Sequence, residues 1–132
     1  MSFANYLLAP VALVAFTASA ADGLSSAYKI CMDRSGGVTL NMQECLNAET
    51  GRHDARLNQN YKAALQTLDA PQQVDLRDAQ RAWITFRDTE CGFIANLTGG
   101  SIDRINAANC MLEMTKTRAD TLDDLLKLYL GD

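Results

Sequence analysis

The chain has 132 residues, formal net charge −4, four cysteines and one histidine. That is enough for one domain. The acidity argues against a nucleic-acid partner, which requires a basic face, and permits a basic protein partner.

Residues 1–20 read as a secretory signal peptide. Tyr6 to Phe16 is an apolar run, and Ala18-Ser19-Ala20 supplies the small-x-small pattern that signal peptidase requires. The run is short against the roughly 20 residues of a bilayer span, and Pro10 interrupts it. Export with cleavage after Ala20 or Ala21 is expected. No cysteine follows the site, so no stable membrane anchor is expected after cleavage. The domain expected to remain is residues 21–132, periplasmic or secreted.

Cys31, Cys45, Cys91 and Cys110 all lie in that domain, an even count that reads as two disulfides in an exported protein. There is no CxxC spacing and one histidine, so a zinc site is not expected, nor any other metal or cofactor. Gly36-Gly37 stops a first short helix. Asn41 with Glu44 three residues on reads as a capping box for the second. Cys31 and Cys45 are equidistant from Val38. In an antiparallel hairpin they lie at one height, which predicts Cys31–Cys45.

"RLNQNYKAALQTL" places Leu57, Tyr61, Leu65 and Leu68 on one apolar stripe, with Asn58 close to Tyr61. Whether Gly51 breaks this helix or only bends it is open at this level. Pro71 opens a third helix, expected from about Gln72 to Leu97. It carries "AQRAWITFRDTEC", in which Gln80, Trp83, Arg87 and Cys91 share a stripe. Gly99-Gly100 stops that helix. Ser101 is expected to cap the fourth, with Asp103 favourable at its positive end. Cys91 and Cys110 flank this turn almost symmetrically, which predicts Cys91–Cys110. The last helix is expected from Ile102 to about Leu130, with Cys110, Met111, Met114, Leu122, Leu125 and Leu126 inward. No segment alternates with period two. The expected fold is an all-α, disulfide-stapled antiparallel bundle of one short and three longer helices.

Arg87 and Arg118 then fall between helices. They are expected to pack on Trp83 and Tyr61 and to pair with carbonyls or carboxylates such as Glu90 or Glu113. The alternative, an anion site, requires further convergent groups. No catalytic residue is expected: His53 beside Asp54 is no triad, because neighbouring helical residues point about 100° apart. Asp120, Asp123 and Asp124 alternate with leucines and read as a solvated face rather than a cation site.

The order of a cysteine pair around a turn, "RLNQNYKAAL", "AQRAWITFRDTEC", "GGS" and "CMLEMTKTRADTL" resembles the lysozyme inhibitor LprI-like family, from Cys31 to about Leu122. The most specific positions are Asn58, Tyr61, Gln80, Trp83, Arg87, Cys91, Cys110, Thr115 and Arg118. The resemblance implies an exported, helical, non-enzymatic binding protein whose partner is a lysozyme. The other reading is a periplasmic structural or accessory protein that binds an envelope protein through a helical face. For docking, the two glycine turns are the expected elements: Thr98–Arg104 with Ser101, Asp103 and Arg104, and Arg34–Thr39 with Arg34.

Overall fold

The computed structural model describes residues 23–131. The expected signal peptide lies outside the described residues. Four α-helices follow one another: α1 (Ser26–Arg34), α2 (Thr39–Thr67), α3 (Ala70–Ile94) and α4 (Ile102–Asp124). A π-helical turn, Leu125–Tyr129, ends the chain's helical part. No strand occurs among the described residues. The disulfides are Cys31–Cys45 and Cys91–Cys110, with Cα separations of 5.6 and 5.5 Å. The expected class and pairing are both observed.

Consecutive helices run antiparallel, and α4 is their shared wall. Along one side it packs on α2, along the other on α3; α2 and α3 make little contact with each other. Two small cores follow. Leu46 meets Ile105, Ala108 and Leu112, with Leu24, Tyr28 and Met42 packed around them. Farther along, Leu57 meets Ala119 and Leu122, with Tyr61, Leu76, Trp83 and Leu125 around them. Numbering rises in step on α2 and α4, so these two helices run parallel. Both therefore begin at the same end of the bundle, and both glycine turns lie at that end.

Several local expectations are corrected. The Asn41–Glu44 box is not formed: α2 starts earlier, with Val38 at its N-cap, and the Asn41 amide instead donates to the Ser35 carbonyl at 3.4 Å. Gly51 neither breaks nor ends α2, which is continuous to Thr67. α3 opens two residues earlier than expected, because Asp69 caps it: its carboxylate accepts from the Gln72 backbone N–H at 2.9 Å and the Gln72 side chain returns to the Asp69 N–H. It stops at Ile94 rather than Leu97. The inward stripe of α4 is Ile105, Ala108, Leu112, Thr115, Ala119 and Leu122, continued by Leu126. Cys110 and Met114 lie to one side, facing α3. Met114 Sδ sits 3.8 and 3.9 Å from the two sulfurs of Cys91–Cys110. A helix serving two neighbours needs two apolar stripes, and cysteine and methionine form the second.

Candidate functional site

Three groupings of polar side chains stand out. The first is the α3 stripe. Gln80 and Cys91 are buried, while Trp83 and Arg87 are only half-buried. α3 has one packing partner, so its inward stripe is narrow. Both guanidinium groups approach the indole: the Cζ of Arg87 lies 4.9 Å from the ring centroid and that of Arg118 lies 6.0 Å from it. Arg118 Nε donates to Gln80 Oε1 at 2.9 Å. Arg87 pairs with its neighbour Asp88 at 2.8 Å, not with Glu90 or Glu113. Partial burial lowers the Arg118 pKa from its ordinary value. Thr115 is fully buried against α2, its hydroxyl without a hydrogen-bond partner. Tyr61 packs on the Leu57 core. Asn58 does not serve it; exposed, it donates to Asp54 at 3.2 Å. One polar link from α2 to α4 comes from Asn60, which donates to the Ala119 carbonyl at 3.2 Å.

The second grouping was not anticipated. Glu49 is 1% exposed, and its carboxylate accepts from the Ser25 N–H at 2.7 Å, the Ser25 hydroxyl at 2.6 Å and Arg52 at 2.6 Å. It thereby ties the N-terminus of α1 to the middle of α2. Burial alone raises the Glu49 pKa, but the bonds from Ser25 and then Arg52 outweigh it and hold the carboxyl below its ordinary range. One turn on, His53 is also buried, not in the polar surface stretch its neighbours suggested. Burial and then Arg56 lower its pKa, so it is neutral at pH 7. A guanidinium only donates, so the Arg56 Nη2 contact at 3.2 Å makes His53 Nδ1 the acceptor and puts the ring proton on Nε2. That Nε2 stands 3.3 Å from Glu49 Oε1 without the alignment of a hydrogen bond. Arg56 reaches across to Asp120 at 2.6 Å, and Lys116 meets the same carboxylate at 3.3 Å. Asp120 is thus an interhelix partner rather than part of a solvated face. Its carboxyl, which burial alone would raise, is held low chiefly by the Arg56 bond. A signal was present in the sequence: Glu49, Arg52, His53 and Arg56 repeat at three, four and seven residues, one helix face.

The third grouping is the glycine end. Ser101 occupies the N-cap position of α4 but has helical backbone angles and makes no side-chain cap bond. Asp103 supplies that chemistry from inside the first turn. Its carboxylate accepts from Thr98 N–H at 2.9 Å, Gly99 N–H at 2.8 Å and the Thr98 hydroxyl at 2.8 Å. The Thr98 backbone bond, then its hydroxyl, lower the Asp103 pKa. Asp103 is turned inward and shapes the loop. Ser101, Arg104 and Arg34 are exposed. Around them, Val38, Leu40, Phe93, Leu97 and Ile102 are large apolar side chains left in water at this one end.

Among the described residues, no cluster of His, Cys, Asp and Glu could hold a metal ion, and no helix is long and apolar enough to cross a membrane. A family model described as lysozyme inhibitor LprI matches residues 31–122. The chain is 32% identical to an uncharacterized protein of Rhizobium meliloti (strain 1021), in an alignment covering 67% of this chain and 73% of the relative. No solved structure matches.

Proposed function

The chain belongs to the lysozyme inhibitor LprI family, and from that premise we propose that it is an exported, non-catalytic binding protein that blocks a lysozyme with its glycine end. The observation that carries this reading is the convergence of both glycine turns at one end of the bundle, amid exposed apolar side chains. Lysozyme cleaves its glycan with two carboxylates in a cleft. An insert for that cleft needs a protruding tip with hydrogen-bonding or cationic groups and little freedom to lose on binding.

The Thr98–Arg104 turn meets those requirements. Asp103 holds its backbone, Cys91–Cys110 braces its base, and Ser101 and Arg104 point to solvent. The second turn, with Arg34, stands at the same end and widens the contact instead of competing with it. Val38, Leu40, Phe93, Leu97 and Ile102 supply the apolar area that a stable interface buries. The net charge of −4 steers encounter with a basic lysozyme.

The test is loss of bacterial-wall turbidity with purified residues 21–132 present in molar excess over chicken-type, goose-type and invertebrate-type lysozymes. Inhibition of at least one type is expected, and the Ser101→Ala, Arg104→Ala double variant should weaken it with the melting temperature unchanged. No inhibition of any type refutes the reading. Full potency in the double variant removes this turn as the insert.

A further inference from the structure

Of the three half-buried arginines among the described residues, two are neutralised: Arg56 by Asp120 and Arg87 by Asp88. Arg118 has no carboxylate partner there. One edge of its guanidinium is fixed by the Nε bond to Gln80, and its plane is placed against Trp83. The two terminal nitrogens remain for another acceptor. A half-buried guanidinium held in this way is a pre-oriented fork for a carboxylate.

The fork borders a cleft of about 340 Å³ between α3 and α4, lined by Trp83, Phe86, Glu113, Met114, Thr117, Arg118 and Thr121. Its wall is mainly apolar, and Phe86 is 60% exposed beside it. An apolar cavity with one oriented cation selects an apolar body that carries one negative charge. The cleft is open, unlike the enclosed tunnel an alkyl chain requires. Polar groups also line it, among them Glu113 as an acceptor and the Thr117 hydroxyl as a donor or acceptor. Those groups match the amide N–H and C=O of a main chain.

We infer that this cleft binds the C-terminal residue of an extended peptide, its carboxylate on Arg118 and a large apolar side chain against Trp83, Phe86 and Met114. The site is separate from the glycine end, since Trp83 packs with the far core around Leu57 and Leu122. Its failure therefore leaves the inhibitor reading untouched.

Trp83 is the only tryptophan in the chain, so its fluorescence reports occupancy directly. Titration with N-acetylphenylalanine should give a saturable change, and the corresponding amide should bind roughly tenfold more weakly or worse, the loss of one charge-assisted contact. Arg118→Gln should erase the acid's advantage over the amide. Phe86→Ala should weaken both probes without moving the melting temperature, because that side chain is largely in water. Equal affinity for acid and amide overturns the inference, as does the absence of a saturable response or a Phe86→Ala variant that binds like the native chain. Hexanoate binding as tightly as the acyl amino acid overturns the peptide assignment. Should Arg118→Gln fail to fold, the acid-to-amide ratio of the native protein decides.

Discussion

Glu49→Gln removes one negative charge and almost no volume from the middle of the protein. The native carboxylate accepts three short bonds, two from Ser25 and one from Arg52. The amide keeps one acceptor oxygen, which can hold the Ser25 N–H. Its NH2 group then faces the Arg52 guanidinium, donor against donor. Arg52 is 44% exposed in its side chain and can turn to water, so its loss costs little. The Ser25 hydroxyl can reverse and accept. What remains is the difference between charged and neutral acceptors, about 1 kcal/mol per bond and so about 1–3 kcal/mol for the two bonds from Ser25. Glu49→Ala, which also leaves the Ser25 donors without a partner, costs about 3–5 kcal/mol. For a domain of this size the first figure corresponds to a melting temperature lower by about 10 °C. Urea denaturation of both variants measures the costs, and hydrogen exchange shows where they fall. The first turn of α1 should lose protection before α2 does, since Cys31–Cys45 retains only the far end of α1. A Glu49→Gln variant within about 0.5 kcal/mol of the native chain would refute the reasoning, because the bonds from Ser25 would then carry no net charge-assisted energy.

Stability should rise with pH from acid to neutral. His53 has a lowered pKa, so below about pH 6.5 the unfolded chain takes up a proton that the folded chain refuses, and stability is lost as pH falls toward the folded value. Glu49 and Asp120, also lowered, extend the loss below about pH 4.5; urea midpoints across pH 3–8 check the slope, and His53→Gln should flatten its upper part. The disulfides close loops of 14 and 19 residues and each should contribute about 3 kcal/mol, read as the loss on replacing each cysteine pair by serine. Trp83→Ala should cost about 2–3 kcal/mol in urea denaturation, below the figure for a fully buried tryptophan, because Trp83 is half-buried.

The disulfide pairing was legible in the sequence because a hairpin turn converts equal chain distance into equal height, and both glycine turns mark their own positions. The α3 stripe was legible from its period. Its depth of burial was not, since α3 has a single packing partner and that depends on how the other helices share α4. Asn41 illustrates a local competition that the sequence left undecided: the same residue could cap α2 or close the preceding turn, and the Ser35 carbonyl took it. Asp103 and Ser101 exchanged expected roles for a similar reason, since the longer carboxylate two residues inside the helix reaches two loop N–H groups at once. The Glu49–His53 cluster was not legible because its decisive partners, Ser25 and Asp120, are distant in the chain. Polar residues at helical spacing look the same whether the facing surface is water or another helix. That the two glycine turns share one end also could not be read from the turns alone; it follows from α2 and α4 running parallel.

Both covalent crosslinks lie in the half of the bundle that carries the glycine turns, whereas the Leu57–Ala119–Leu122 half is held by packing and hydrogen bonds without a crosslink. Resistance to opening is therefore graded along the molecule. Fluctuations are expected to start at the hairpin near Leu68 and at the terminal π-helical turn, and to stop where the cystines begin. A partly opened chain in this state still presents a complete glycine end. The lifetime of that end is therefore set by the cystines and not by the global unfolding equilibrium.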